Sequence, residues 1–336
     1  MKVVLLQKLK IGLIGLGYIG KTHLYNCLKL EDACLFAVAD LSKKALNTAR
    51  QLGIPNTYDN YSRLLENREI DAVIIALPTH LHAKCAKAAA EAQKHIMLEK
   101  PLARNLAEGK EILSAVRSEG VKIMVGYPLQ FSLPFIKLKE EIENGELGEV
   151  QTAEATNINP GPFIHRAETG SPSPVPDWWW KKELTGGGAL MDLGSHMINL
   201  ARWYFGRVTD ARSYLGHRFG LEQEDWAISL VKFKAGPLVT INVGWYSQKS
   251  QIKIDMHGTG SHLAAHYVQP GKIKTVAQLL LRRTPDFYIP FKKEVQHFVK
   301  SIKKDFQPKP SGDEALEDLE TIERAYSKSI ELSNGI

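Results

Sequence analysis

The sequence is poor in cysteine, in long apolar runs and in blocks of like charge. Its three cysteines, Cys27, Cys34 and Cys85, include no CxxC pair, so neither a disulfide framework nor a structural zinc site is expected. No stretch approaches the 18 uncharged apolar residues that a membrane-spanning helix needs. The apolar run before Lys8 is too short for a signal peptide. These absences predict a cytoplasmic protein that does not associate with a membrane.

The charge balance is mildly basic. The 43 lysines and arginines exceed the 37 acidic residues and give a net charge of +6. The basic residues occur in scattered pairs rather than in a run of five or six, which is typical of solvated faces and not of a nucleic-acid-binding stripe. At 336 residues, the chain is long for one core, and two domains are expected.

The first part of the chain alternates short apolar runs with helical patterns. Runs that are apolar throughout indicate strands buried on both faces of a parallel sheet. Strand–helix alternation predicts a doubly wound α/β domain over residues 1–126. The predicted strands are Ile11–Ile14, Leu35–Ala39, Ala72–Leu77, Ile96–Leu98 and Ile123–Val125.

The pattern changes after Tyr127, and residues 127–336 are predicted to form a second domain. Alternation such as Val239-Thr240-Ile241-Asn242-Val243 is typical of an antiparallel sheet with one covered face. We therefore expect an α/β domain with a large, open, mainly antiparallel sheet. Its predicted strands are 149–157, 207–216, 224–234, 237–245 and 250–257, and two closing helices are predicted near 290–305 and 312–332.

A glycine loop follows the first predicted strand. The segment Gly15-Leu16-Gly17-Tyr18-Ile19-Gly20 lies between that strand and a helix, and a second strand ends at Asp40, 20 residues beyond Gly20. This context makes GxGxxG a dinucleotide-binding fingerprint. The helix N-terminus offers unpaired N–H groups to the phosphates.

The acidic residue bears on the choice between NAD and NADP. Asp40 can accept hydrogen bonds from ribose hydroxyls and would repel a 2′-phosphate, which favours NAD. Lys43 and Lys44 follow closely and could bind that phosphate, so NADP stays an alternative. His82 is also a candidate for helix capping. The residues expected to contact the cofactor are Gly15, Gly17, Tyr18, Ile19, Gly20, Asp40, Leu77, Pro78, Thr79, His82, Glu99 and Lys100.

A lysine, an aspartate and a histidine lie in two further motifs. Glu99-Lys100-Pro101 follows an apolar run, and the segment 186–196 places Asp192 and His196 four residues apart after three glycines. On an α-helix that spacing puts both side chains on one face. Such a set suits alcohol–ketone chemistry: the imidazole takes the hydroxyl proton, the ammonium stabilises the oxygen, and the carboxylate orients the imidazole. Lys100, Asp192 and His196 are therefore the predicted catalytic residues, with proton transfer by Lys100 itself left open. No metal is expected.

In this order, the glycine loop, Glu99-Lys100-Pro101 and the glycine-rich 186–196 segment resemble the Gfo/Idh/MocA family (glucose–fructose oxidoreductase, inositol dehydrogenase, rhizopine catabolism). The resemblance extends to residues 308–315 near the end. It implies NAD(P)-dependent oxidation or reduction of a hydroxyl or ketone carbon in a sugar, cyclitol or sugar nucleotide. It also implies a dimer or tetramer that pairs through the open sheet.

Two positions depart from the family pattern. Asn199 stands where an aspartate is frequent, and Gln130 stands where an arginine is frequent. The identity of the substrate therefore cannot be inferred from the resemblance.

The candidates for substrate contact follow from their chemistry and their place in the second domain. Aromatic faces stack on sugars, and basic side chains bind phosphate or carboxylate. The candidates are Tyr127, Arg166, Trp178, Trp180 and Lys181. Packing of the tryptophans against the second domain is the alternative, and a cofactor-sensing regulator and a sugar–sugar oxidoreductase that keeps its cofactor are alternative functions.

Overall fold

The computed structural model describes residues 8–163, 176–234, 236–247, 249–267 and 289–332. These residues form two compact units. The first contains 8–103, 107–128 and 289–313, and the second contains 104–106, the described part of 129–287, and 314–332. None of the helices within these ranges has the length and apolar character needed to cross a bilayer.

The first unit is built on a parallel six-stranded sheet with the order β3-β2-β1-β4-β5-β6. This is the doubly wound order of dinucleotide-binding folds, so the predicted fold class is confirmed for this unit. The central strand Ala72–Ile75 is buried along its whole length, as expected for a strand covered on both faces. The strands are β1 (Leu9–Ile14), β2 (Ala33–Ala39), β3 (Asn56–Tyr58), β4 (Ala72–Ile75), β5 (His95–Glu99) and β6 (Ile123–Gly126).

Helices connect these strands. They are α1 (Tyr18–Cys27), α2 (Lys43–Gln51), α3 (Tyr61–Leu65), α4 (His82–Glu91) and α5 (Leu106–Glu119). The short strand β3 escaped the sequence analysis because its three residues, Asn-Thr-Tyr, carry no apolar run.

The second unit contains a mixed seven-stranded sheet with the order β12-β11-β7-β10-β9-β8-β13. Neighbouring strands are antiparallel except for β10 with β7 and β13 with β8, which confirms a mainly antiparallel sheet. Its strands are β7 (Val150–Ile158), β8 (Val208–Gly216), β9 (Trp226–Phe233), β10 (Leu238–Gly244), β11 (Gln251–Gly258), β12 (His262–Tyr267) and β13 (Ile330–Leu332). Alternate residues of β9 are buried and exposed, so this sheet has one covered face and one open face.

Five more helices complete the described chain: α6 (Leu133–Glu143), α7 (Lys182–Thr185), α8 (Ser195–Phe205), α9 (Ile289–Lys303) and α10 (Gly312–Ser327). From its position after Tyr127, α9 is predicted to belong to the second domain. The structure instead packs α9 against α1 and buries Phe291, Val295 and Phe298 there. An amphipathic stripe shows that a helix covers a core but does not show which core, so the sequence could not reveal this return.

Candidate active site

The glycine loop has a different steric requirement at each glycine. Gly15 has φ +93°, and a Cβ there would lie 2.4 Å from the carbonyl oxygen of Ala76. A Cβ on Gly20 would lie 2.0 Å from the carbonyl oxygen of Gly15, so Gly20 lets α1 approach the loop. A Cβ on Gly17 would meet no atom of the described residues within 4 Å.

Gly17 therefore borders open space where α1 begins. It is the N-cap of α1 and has no side-chain capping bond, so the first N–H groups of the helix are directed to that space. The helix dipole favours an anion there. These residues fit the pyrophosphate of a dinucleotide. Tyr18 is exposed and Ile19 is half-buried beside this opening.

Asp40 is fixed by the loops on either side of it. The Leu16 N–H donates to its Oδ2 (2.6 Å), and the Ser42 N–H donates to its Oδ1 (2.7 Å). A carboxylate has about four lone-pair sites, so acceptor capacity remains for ribose hydroxyls. The carboxylate is thus held in position next to the glycine loop.

The residues after β4 that were predicted to contact the cofactor lie in the same unit as the glycine loop. Leu77, Pro78 and Thr79 are half-buried, whereas His82 is only 1% exposed. Its Nδ1 lies 2.9 Å from the carbonyl oxygen of Pro101, and its Nε2 lies 2.9 Å from that of Leu77. Burial lowers the pKa of His82, while the two carbonyl contacts act in the opposite direction. His82 therefore links the segment after β4 to the residue that follows Lys100, and it does not cap α4.

Glu99, which was predicted to contact the cofactor, is buried in the core of the first unit. Nε2 of His23 contacts its Oε1 at 2.6 Å. Glu294, on α9, is also completely buried, and burial together with the charge of Glu99 raises the pKa of Glu294. A Cβ on Gly126 would lie within 3.4 Å of both carboxylates. The geometry supports an anchoring role for the Glu99 side chain.

Lys100 is half-buried and lies directly after β5. Glu99 before it is held by His23, and Pro101 after it is held by His82. Neither histidine was predicted to have this role. His23 gave only a weak signal, a histidine three residues beyond Gly20. The turn that carries the lysine is therefore fixed from both sides within the first unit.

In the second unit, a buried glutamate holds the glycine-rich segment. The Glu224 carboxylate accepts hydrogen bonds from the N–H groups of Gly188 (3.1 Å) and Leu190 (3.0 Å) and from the Tyr326 hydroxyl (2.7 Å). Burial raises the pKa of Glu224, and these donors oppose the rise. A Cβ on Gly188 would lie 1.9 Å from the Glu224 carbonyl oxygen. The glycine is thus required for close contact with Glu224, a partner that was not predicted from the sequence.

Asp192 lies in a π-helical turn, Leu190–Gly194, and His196 lies in the first turn of α8. Their spacing of four residues had predicted one continuous α-helix for both. A π-turn has i to i+5 hydrogen bonds and is frequent at functional sites. The indole N–H of Trp245 donates to Oδ2 of Asp192 (3.2 Å). Trp245 was not predicted because nothing local in the sequence connects it with Asp192.

The two positions that depart from the family pattern bond to each other. Nε2 of Gln130 donates to Oδ1 of Asn199 (2.7 Å), and Nδ2 of Asn199 donates to Oδ2 of Asp318 (2.7 Å). Arg202 donates to the other oxygen of Asp318 (2.6 Å). Burial raises the pKa of Asp318 to about 6, and Arg202 opposes the rise. The two departures therefore form one hydrogen-bonded pair of neutral amides.

The predicted substrate residues differ in accessibility. Trp178 and Trp180 are half-buried in a short 3₁₀ helix, and Lys181 is exposed after it. Tyr127 is 2% exposed, which favours packing over substrate contact. Arg166 lies outside the described residues. Across the described ranges, histidines, cysteines and carboxylates form no cluster of three or more that could hold a metal ion.

The loop geometry predicts different effects for two alanine substitutions. Gly17→Ala should lower NAD affinity about tenfold, equivalent to about 1.4 kcal/mol, because its methyl group enters the space next to the helix N-terminus. The melting temperature of the Gly17→Ala protein should not change. Gly15→Ala should lower the melting temperature, because the positive φ and the Ala76 carbonyl oppose a side chain. Calorimetric titration and thermal unfolding measure both effects. Unchanged NAD affinity in a folded Gly17→Ala protein would contradict the assignment.

Comparison with known proteins agrees with this geometry. Residues 9–127 match the GFO_IDH_MocA model, described as an oxidoreductase family with an NAD-binding Rossmann fold. Residues 135–264 match the GFO/IDH/MocA C-terminal domain. Together the two matches span most of the chain.

Similar proteins include two curated dehydrogenases and one solved structure. The chain is 27% identical to a myo-inositol 2-dehydrogenase of Thermotoga maritima, over 96% of both chains. It is 30% identical to a scyllo-inositol 2-dehydrogenase (NAD(+)) of Bacillus subtilis, over 68% of this chain and 65% of that one. The crystal structure of a probable dehydrogenase from Thermotoga maritima superposes with a TM-score of 0.81 at 26% identity, over 95% of this chain and 96% of that one. The glycine loop, the lysine turn and the two matched domains establish that this chain belongs to the GFO/IDH/MocA family of NAD-binding oxidoreductases.

Proposed function

We propose that this protein is an NAD-dependent dehydrogenase of a hydroxyl group on a sugar, cyclitol or sugar nucleotide. The observation that carries the proposal is the complete set of Lys100, Asp192 and His196 in a chain with a fitting dinucleotide loop. Its similarity to two inositol dehydrogenases supports a polyhydroxylated ring as substrate.

The proposed chemistry assigns one role to each residue of the catalytic set. When bound, the nicotinamide supplies the acceptor for the hydride. His196 takes the proton from the substrate hydroxyl, and Lys100 stabilises negative charge on the same oxygen. Asp192 orients the imidazole of His196. The fixed turn around Lys100 supports this assignment, because a prepositioned ammonium needs no reorganisation during the reaction.

Three side chains are proposed to contact the substrate. Trp178 and Trp180 offer aromatic faces to a sugar ring, and Lys181 offers a positive charge to an anionic group. Arg166 stays a candidate for the same anionic group. Tyr127 is not included, because its side chain is buried.

Substitution of the lysine tests the proposal directly. Lys100→Met should lower kcat at least about 100-fold, because the developing charge on oxygen loses its partner. NAD binding should persist, since the loop around Gly17 is unchanged. Lys84→Met, at an exposed position of α4, is the matched control and should behave as wild type. NADH absorbance with a panel of inositols, aldoses and UDP-sugars gives kcat, and calorimetry gives NAD affinity. Wild-type turnover in Lys100→Met would remove the lysine from the mechanism.

The same assay separates the two alternative functions. If NAD binds but no alcohol in the panel is oxidised, a cofactor-sensing regulator becomes the better interpretation. If mass spectrometry finds nicotinamide cofactor retained through purification and NADH forms only transiently, a sugar–sugar oxidoreductase that recycles its cofactor becomes the better one.

NAD is the proposed cofactor rather than NADP. The Asp40 carboxylate cannot turn away from a 2′-phosphate without losing the hydrogen bonds from Leu16 and Ser42. Asp40→Ala should therefore lower the ratio of kcat/KM for NAD over NADP at least about tenfold, a change of about 1.4 kcal/mol. Asp59→Ala, an exposed carboxylate of the same unit, should leave the ratio unchanged. Steady-state kinetics with both cofactors measures it. A wild-type enzyme that prefers NADP would show this interpretation of Asp40 to be wrong.

We also propose that the protein forms a homodimer or homotetramer through the open face of the second sheet. Tyr214 pairs directly with Ile228, and Leu230 lies two residues further on the same face. Their side chains are 46%, 39% and 37% exposed. A contiguous exposed apolar patch on a sheet is typical of a protein–protein interface.

A charge at the centre of this patch should separate the subunits. Ile228→Lys would bury an ammonium at the interface without a partner, which is strongly unfavourable. Light scattering after size exclusion should show a smaller species than for wild type. Tyr25→Lys, which replaces a side chain of the first unit that is 51% exposed, should leave the mass unchanged. A monomeric wild-type protein, or an unaltered Ile228→Lys assembly, would contradict the proposal.

The redox state of the cysteines is relevant to the cellular compartment in which the protein acts. Cys27, Cys34 and Cys85 are all free thiols, which is compatible with a reducing environment. We therefore propose that the protein acts in the cytoplasm.

A further inference from the structure

Trp245 is a buried side chain that contacts one of the proposed catalytic residues. It is 2% exposed, and its indole N–H donates to Oδ2 of Asp192 at 3.2 Å. A buried indole N–H needs an acceptor. Any backbone carbonyl would satisfy that need. Here the acceptor is a carboxylate in the π-turn that leads into His196.

The indole is built into the second unit from several sides. A Cβ on Gly161 would lie 2.2 Å from Cγ of Trp245, so the glycine backbone packs directly against the ring. Trp179 meets the ring edge to face, with centroids 6.1 Å apart. The orientation of the indole is therefore fixed independently of Asp192.

Two consecutive buried acidic residues connect the indole with the carboxylate. The Glu224 side chain holds the backbone of Gly188 and Leu190, where the π-turn begins. The carbonyl oxygen of Asp225 accepts a hydrogen bond from the backbone N–H of Trp245 (2.8 Å). The Asp225 carboxylate in turn accepts from the N–H groups of Arg218 (3.0 Å) and Phe219 (2.6 Å). The donor and the acceptor of the indole–carboxylate bond are thus both anchored to the segment 224–225.

We infer that Trp245 is a positioning residue, which holds the Asp192 carboxylate in the orientation that the His196 imidazole requires. This inference depends on the proposed function, because it assigns Asp192 to the dehydrogenase reaction. A phenylalanine would fill much of the same space and would lack the donor, so the hydrogen bond can be separated from the packing.

The kinetic test compares Trp245→Phe with Trp203→Phe, the same substitution on α8. Loss of a hydrogen bond to a charged group predicts a fall in kcat of about tenfold for Trp245→Phe. The KM values for NAD and substrate should change less than about twofold. Trp203→Phe should keep wild-type kcat. In an Asp192→Ala background, Trp245→Phe should have no further effect on the residual rate.

A spectroscopic test needs no activity. The chain has six tryptophans, so ¹⁵N labelling gives six indole N–H signals. The Trp245 signal is identified by its loss in Trp245→Phe or, if that variant does not fold, by elimination with the other five Trp→Phe variants. It should move in Asp192→Ala, whereas the Trp203 signal should stay in place.

The outcomes distinguish this inference from the proposed function. A wild-type protein that oxidises no alcohol would remove the proposed function, and the indole signal would still report on the hydrogen bond. An active wild type with wild-type kcat in Trp245→Phe would overturn the inference alone. An equal loss of rate with and without Asp192, or an indole signal that does not respond to Asp192→Ala, would also overturn it, because the tryptophan would then act only through packing.

Discussion

Carboxylates that accept hydrogen bonds from loop N–H groups are the interaction on which the candidate site depends. Loops cannot satisfy their own backbone donors as helices and strands do. Asp40 binds the N–H groups of Leu16 and Ser42, and Glu224 binds those of Gly188 and Leu190. Each pair of bonds fixes a loop that carries proposed functional groups. The glycines in these loops allow the close approach, and the carboxylates hold it.

Each unit holds its proposed functional residues in a fixed local setting. In the first unit, His23 and His82 hold the residues on either side of Lys100. In the second, the segment 224–225 anchors both the π-turn and Trp245. Preorganised groups of this kind stabilise developing charge without reorganisation. The supporting residues are therefore as much a part of the proposed chemistry as the lysine and the histidine.

Much of the fold followed from local patterns in the sequence. Apolar runs predicted every strand of the parallel sheet except β3, and alternation predicted β7 to β11 of the second sheet. The glycine loop and the catalytic motifs were identified from spacing. What the sequence could not give depends on contacts between distant residues. The return of α9 to the first unit, the bond from Trp245 to Asp192 and the hydrogen bond between Gln130 and Asn199 join residues that are tens of residues apart or more. Gln130 and Asn199 are two separate departures from the family pattern in the sequence, and only the folded structure shows that they are hydrogen-bonded to each other.

The π-turn at Leu190–Gly194 gives this segment a sensitivity to length. Its i to i+5 bonds accommodate one more residue than an α-helical turn does. Removal of one residue between Asp192 and His196 would restore an α-helical turn and shift Asp192 by one position relative to His196. Asp192 would then lose its angular relation to the imidazole of His196, although both residues would still be present. Chains that keep the aspartate and the histidine but differ by one position between them should therefore not be assumed to share this arrangement.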